Sequence, residues 1–462
     1  MISLQVGQCG VQVGQALFGV LAEESRAASP AHALYPLSLW QQLVVDTERK
    51  VLAAADAPEP PQPPADTREG LQTWRRHQRA DAGMFATKYL DLGTSGRGNN
   101  WSHGYLDDSR LDEVLEAFRR LAEASFRYEG CMLLHSLAGG TGSGLGSRLA
   151  QELRTEYPKQ LIMSLSFAPF DSGETALQDY NGLLTLASLQ NCADLVGVFP
   201  NDLALRNAAR HLGVGSSSGS TRISMDQINQ LVAQSIAGIV LPLSEALDIK
   251  LADRTTAFSG WDLVTNVTPM PSTKLAMFAS SSSLSPSPDQ PKQQGSEIDT
   301  SKPLRKVARP THEFDSWDDL HTLLNRNLPA LAQGKKRCCI GARLNIRGVQ
   351  GPEFWSRWPA IRAKWAERMG PTLPDCTTDV RLSYLYGLDI HSKRRSLDLC
   401  YNSDDVLPIV ERILAGAERK FKQRAYVHWY ERYAREHTDD MFGEAFETVQ
   451  SVVDAYRDLS HW

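Results

Sequence analysis

From Met1 to Pro200, short apolar runs alternate with stretches of helical spacing. Ile2 to Val6, Trp40 to Val45, Cys131 to Leu137, Leu161 to Phe167 and Leu195 to Phe199 have the length and apolar content of buried strands. Between them, Val13, Leu17, Val20 and Leu21 share one helical face, residues 111–124 predict a second helix, and Leu145, Leu149 and Leu153 mark a third. Alternating strands and helices of this kind imply an α/β fold with a doubly wound parallel sheet. Ligands of such sheets bind at the carboxyl ends of the strands.

The pattern then changes. Ser224 to Leu241 reads as one long helix, with Ile228, Leu231, Val232, Ser235, Ile236 and Ile239 on one face and Pro242 as its stop. Cys338 to Ile346 and Ser396 to Tyr401 predict strands of a second, mixed α/β domain. Val406 to Ala425 predicts a helix, and Phe442, Phe446, Val449 and Val453 mark the packed face of another. Two stretches interrupt the periodicity. Residues 55–66 are proline-rich and read as an extended loop, and residues 279–310 are rich in Ser, Pro, Gln and Lys and read as disordered or a flexible loop. The expected organisation is a nucleotide-binding domain over 1–206, a core helix and intermediate domain over 207–402, and C-terminal helices over 403–462.

Composition narrows the classes. The chain has 462 residues, 42% of them hydrophobic, and a net charge of −5, which offers no global attraction to nucleic acid. No apolar run is long enough to span a bilayer, and the N-terminus lacks the basic and apolar regions of a signal peptide. The seven cysteines are scattered, with no CxxC pairs. Reduced thiols in a cytoplasmic protein are the simplest account.

The chemistry concentrates in glycine turns at the ends of predicted strands. Ala138-Gly-Gly-Thr-Gly-Ser-Gly144 lies between a strand and a helix. Backbone N–H groups in such a turn converge on an anion beside a helix N-terminus, and Thr141 and Ser143 add hydroxyls. No lysine follows, so the turn is not a P-loop. A flexible turn is the alternative. Gly7-Gln-Cys-Gly10 and Gly96-Arg-Gly-Asn-Asn-Trp101 are two further clusters of the same kind.

Four separated segments together resemble the tubulins. Gly7-Gln-Cys-Gly-Val-Gln12 is similar to their first nucleotide loop, Asp46-Thr-Glu48 to the second, Gly98-Asn-Asn-Trp101 with Gly104-Tyr105 to the third, and Ala138 to Gly144 to the signature loop. Lys420 to Tyr430 resembles the junction to the C-terminal helices. Within the family, Ala138 at the head of the signature loop, Asp179-Tyr-Asn181 and Ile223 to Asn229 look most like the delta subfamily. The chain ends Tyr456-Arg-Asp-Leu-Ser-His-Trp462, without the long acidic tail of the tubulins that build the microtubule wall.

The resemblance implies bound GTP or GDP with Mg²⁺. Gln8 would meet phosphate or Mg²⁺-bound water. Cys9 is either a nucleotide contact or a small packing residue. Glu48 would hold the Mg²⁺ shell, a solvated carboxylate being the alternative. Gly98 and Asn99 would reach phosphate, as would Ala138, Gly139, Gly140, Thr141, Gly142, Ser143 and Gly144. Asn201 and Asn229 would read base and ribose, and Asp179 would make a ribose or loop contact. Met225 takes the place where tubulins set an aromatic ring on the guanine. Asp262 falls where tubulins carry the residue that completes hydrolysis in the neighbouring subunit; a helix cap is its alternative role.

Three functions follow from the resemblance. The first is a GTP-binding cytoskeletal protein of centrioles or basal bodies, with alpha- or beta-type tubulins or centriolar proteins as partners and neither nucleic acid nor membrane. The second is a polymer-forming GTPase, and the third a nucleotide-binding scaffold without turnover.

Overall fold

The computed structural model describes residues 1–27, 40–48, 50–52, 86–92, 96–125, 128–211, 223–241, 243–244, 255–256, 258–282, 316–330, 337–349, 351–369, 378–384 and 395–459. The proline-rich stretch 55–66 and all but the first four residues of 279–310 lie outside them.

Six parallel strands form the centre: β1 (Ile2–Val6), β2 (Gln41–Asp46), β3 (Ala86–Asp91), β4 (Gly130–Ser136), β5 (Leu161–Ala168) and β6 (Leu195–Pro200). Their order is β6-β5-β4-β1-β2-β3. The chain therefore reverses direction across the sheet between β1 and β4, and the crevice beyond their carboxyl ends is where such sheets bind ligands. The side chains of these strands divide between two faces by the period of two. Met132 and Leu134 pack with Met163 and Leu165 on one face, and Cys131 and Leu133 on the other. Burial on both faces explains why these strands read as continuous apolar runs.

The first face is covered by α1 (Gly7–Ala27) and the long helix that the sequence predicts, α7 (Met225–Val240). Ser224 caps α7 in a reciprocal capping box with Gln227. The other face is covered by α3 (Leu111–Ala124), α4 (Gly146–Glu156) and α5 (Gln178–Cys192), with α2 (Trp101–Tyr105) and α6 (Asn201–His211) at the carboxyl edge.

The intermediate region continues the same sheet. β9 (Leu275–Ser282) joins β6 through the pairs Val196–Leu275 and Gly197–Ala276. β12 (Ser396–Ser403) runs antiparallel to β9 and to β10 (Cys339–Val349), and β11 (Thr378–Tyr384) completes a sheet of ten strands. The short hairpin β7–β8 (Leu243–Ser244, Thr255–Thr256) stands apart. Serines 280–282, read as the start of a low-complexity loop, belong to β9: Ser281 and Ser282 pair with Leu397 and Ser396, and Ser280 Oγ donates to the buried Asp398. Tertiary pairing here outweighs polar composition.

The core helix is fastened to this outer half of the sheet. Arg347 donates to the carbonyls of Gly238 and Leu241 at 3.0 and 2.7 Å, and Asn345 to Gly238 at 3.0 Å. These β10 side chains satisfy the orphan carbonyls at the helix C-terminus and place positive charge at its negative end. Further helices are α8 (Gly260–Val267), α9 (Trp317–Asn327) and α10 (Gly351–Met369), which carries Pro359 in its interior. The C-terminal helices α11 (Leu407–Lys422), α12 (His428–Ala434) and α13 (Thr438–Leu459) pack on α5, with Ile413 lying directly over Gly182.

Tyr456 ties α13 to the sheet. Its buried hydroxyl accepts from the N–H of Leu275 at 3.0 Å and faces Asn402 Oδ1 at 2.8 Å. Tyr456→Phe leaves these groups buried and unpaired, so it lowers stability by about 1–3 kcal/mol, read as a lower urea midpoint.

Candidate nucleotide-binding site

The glycine turn after β4 is a π-helical turn, Thr141–Leu145, leading directly into α4. Such turns interrupt the regular helical ladder and recur at functional sites. Its carbonyls are tied inward. Ala138 O accepts from Asn181 Nδ2 at 2.6 Å, Gly139 O from Ser143 Oγ, Gly142 O from the His135 ring at 3.0 Å, and Ser143 O from Ser147 Oγ at 2.7 Å. In a trans peptide the next N–H points opposite to its carbonyl. The N–H groups of Gly139, Gly140, Ser143 and Gly144 are thereby turned away from these donors. This is how an anion cradle is built without lysine.

The other loops close round that turn. Gly7, at the start of α1, has φ +73°, and a Cβ there would lie 2.8 Å from the N of Gly142. Only glycine allows this approach. Thr47, after β2, shares a hydrogen bond of 2.8 Å with Thr141. A Cβ on Gly140 would lie 2.8 Å from both the carbonyl of Arg97 and the N of Asn100, and one on Gly96 would lie 2.5 Å from Glu48. Asn99 adopts the left-handed conformation, φ 51°, which asparagine tolerates better than most residues. The residues predicted from four separate segments thus converge on the carboxyl edge of β1 and β4.

Asn181 holds three of the pieces together. Its amide nitrogen donates to Asn99 O at 2.7 Å and to Ala138 O. Its oxygen accepts from the N–H of Trp101 at 3.0 Å and from the Tyr430 hydroxyl at 2.6 Å. Asn100 in turn donates to Trp429 O at 2.9 Å. The C-terminal junction is therefore part of the wall of the site. Asn181 appears in the sequence within the segment Asp179-Tyr-Asn181, but its role depends on fold contacts that spacing does not reveal.

On the base and ribose side, Asn201 opens α6, and its amide donates to Glu174 Oε1 at 3.2 Å. The charge of Glu174 also acts on Cys9, and burial is the larger cause that pushes the Cys9 thiol up to about 12. Cys9 is partly buried and packs against the α1–α7 core. Asn229 is buried on α7, one turn before Val232, on the same core. Met225 is exposed at the start of α7, and Gln8 is exposed at the start of α1.

Asp179 does not face this group. Its carboxylate pairs with Lys420 at 2.8 Å and crowds Gly416 of α11. The carboxylate beside Asn201 and Cys9 is Glu174. Glu174 lies in the polar loop ahead of α5, and nothing in its spacing separates it from the other acids there.

For a metal, the second loop supplies Glu48, half-exposed and paired with Lys50 at 2.7 Å. Asp46 Oδ1 accepts the N–H groups of Thr47 and Glu48, while Oδ2 is buried without a partner. Burial raises the Asp46 carboxyl to about 6. Among the described residues no group of three or more His, Cys, Asp or Glu forms a closed cage. The donors fit an ion such as Mg²⁺, which keeps water and phosphate oxygens in its shell.

Asp262 lies at the other end of the molecule. Helix α8 packs near Met1 and Leu161, which begin β1 and β5, so it sits at the amino edge of the sheet. Ser259 caps this helix through the N–H of Asp262. The carboxylate accepts from Arg343 at 2.8 Å and from Asn266 at 3.3 Å.

His135 was not singled out by sequence. It is buried under the glycine turn, and its second nitrogen lies 2.8 Å from Ser164 Oγ. The signal was available: a histidine inside the run Cys131-Met-Leu-Leu-His-Ser136 is a buried polar group that must be satisfied.

An α/β sheet with a lysine-free phosphate cradle at its switch point, a long core helix and a clasp of C-terminal helices defines the tubulin class of GTP-binding proteins. A family model described as "Tubulin/FtsZ family, GTPase domain" matches residues 1–209. The chain is similar to the tubulin delta chain of Macaca fascicularis, 24% identical over 481 residues, with 99% of this chain and 100% of that one covered. It is also similar to the tubulin gamma chain of Eremothecium gossypii, 32% identical over 243 residues, 52% of this chain and 50% of that one. The chain belongs to the tubulin superfamily.

Asn181→Ala removes four hydrogen bonds at once, three of them buried. It lowers stability by about 3 kcal/mol in a urea melt and weakens GDP binding in a titration. A pH effect follows from His135, whose ring burial holds at about 4, below its ordinary 6.5. Between these values the unfolded chain binds the extra proton, so stability falls as pH drops from 6.5 to 4, by up to about 3 kcal/mol. His135→Asn flattens that part of the stability–pH curve.

Proposed function

We propose that this chain is a delta-type tubulin that binds GTP or GDP with Mg²⁺. On this reading it serves as a structural component or assembly factor of centriole and basal-body microtubules. The observation that carries the nucleotide part is the set of inward-tied carbonyls at Ala138, Gly139, Gly142 and Ser143, which leaves N–H groups as the phosphate ligands. Gly98 and Asn99 close over the phosphates. Glu48 holds the shell of a Mg²⁺ ion, which neutralises phosphate charge when bound, and Gln8 meets phosphate or Mg²⁺-bound water. Asn201 with Glu174, and Asn229 with Met225, take the ribose and base. The full-length similarity to a delta chain supports the subfamily, and the cellular role and the alpha- or beta-type or centriolar partners are inferred from that likeness.

In this reading Asp262 orients water for a nucleotide held by the next subunit. Its place at the amino edge of the sheet, opposite the glycine turn, suits head-to-tail stacking. Arg343 and Asn266 already occupy its carboxylate, and that favours a second reading, a nucleotide-holding scaffold with little turnover.

Purified protein is denatured and the released nucleotide is identified. Guanine nucleotide is expected, and its absence refutes the site. GTP turnover is then followed with alpha/beta dimers. If Asp262 acts in trans, Asp262→Asn lowers the rate by about 10²-fold; an unchanged rate leaves the scaffold.

A further inference from the structure

The imidazole of His135 is placed as a lever on the glycine turn. Nδ1 lies 3.0 Å from the carbonyl of Gly142, which can only accept, so Nδ1 carries the proton. Nε2 is then an acceptor, 2.8 Å from Ser164 Oγ and 3.1 Å from Ser166 Oγ. The two hydroxyls are 2.9 Å apart, and all three side chains are fully buried. The Gly142 carbonyl therefore fixes the tautomer, and the serine pair on β5 satisfies the nitrogen that is left as an acceptor. The ring is also held sterically, since a Cβ on Gly146 would lie 3.3 Å from its Cγ and Nδ1.

We propose that His135 is a positioning residue for phosphate binding: by holding the Gly142 carbonyl against β4 it sets the plane of the Gly142–Ser143 peptide, and so aims the Ser143 N–H away from the sheet toward the bound phosphates. The proposal rests on the nucleotide reading of this pocket. The turn is π-helical, so the ordinary i→i+4 ladder is interrupted here, and the His135 ring supplies the Gly142 carbonyl with a donor from outside the turn. The interaction reaches the phosphate end alone. Its loss therefore weakens ligands that carry phosphate and leaves the nucleoside contacts at Asn201 and Asn229 untouched.

The test uses the full chain and two probes, GDP and guanosine. Asn places an amide N–H where Nδ1–H stands, whereas Gln places it nearer Nε2, and Leu has none. His135→Asn is expected to bind GDP nearly as the wild type does. His135→Gln and His135→Leu are expected to lose GDP affinity by about tenfold or more, with guanosine affinity unchanged. Equal loss of GDP and guanosine affinity overturns the proposal, and so does a Gln variant that binds GDP as well as the Asn variant. If the Leu variant does not fold, the Asn–Gln pair decides alone. A wild-type protein that takes up no GDP overturns the nucleotide reading itself, and this proposal with it.

Discussion

To hold a polyanion, the glycine turn of this protein has to present donors while offering no lysine of its own. A peptide group can do this only if its carbonyl is disposed of in the opposite direction, because carbonyl oxygens facing a phosphate would repel it. Every tied carbonyl in the turn has a different keeper, and the keepers come from far apart: Asn181 from α5, His135 from β4, Ser143 and Ser147 from the turn and helix themselves. Much of the surrounding architecture can be understood as the means of keeping those partners in place. The close approach of Gly7 and the packing of the 96–101 loop on Gly140 serve the same end, since a displaced neighbour would release the turn.

The C-terminal helices are drawn into this arrangement. Tyr430 and the backbone of Trp429 engage Asn181 and Asn100, while Tyr180 donates to Ala425 O at 2.9 Å and Lys420 grips Asp179 and Ala176 O. The junction is tightly folded, with Arg424 and Tyr426 both in the left-handed region. The ion pair at Asp179 is part of this clasp. It joins α11 to the start of α5, two residues before Asn181.

Sequence exposed five of the six parallel strands of the central sheet, because burial on both faces leaves little room for polar residues. It exposed the phosphate loops because close backbone approach demands glycine in a readable pattern. It did not expose which acid lies beside Asn201. Glu174 and Asp179 lie five positions apart in one polar segment, and only the path of the loop before α5 separates them. Nor did it expose β3, β11 or α10: the first two are edge strands of mixed composition, and Pro359 argues against a helix by local rules. Serines 280–282 misled for a related reason. Their hydroxyls suit a loop by composition, yet in β9 the ladder to β12 satisfies the backbone and Asp398 receives Ser280.

The two ends of the molecule are joined by a short run of rigid elements. Asn229 sits in the first turns of α7, beside the Cys9 end of α1. The last carbonyls of the same helix are held by Asn345 and Arg347 of β10. Two residues before Asn345 on that strand, Arg343 holds the carboxylate of Asp262. Residues 343, 345 and 347 share one face of β10 by the period of two, and that face carries both the cap of the core helix and the anchor of the far-edge acid. A shift of α7 along its axis would have to move Asn345 and Arg347 or break their bonds to it. A displacement at the Asn229 end of α7 thus has a direct mechanical route to the carboxylate of Asp262, with one helix and one strand between them.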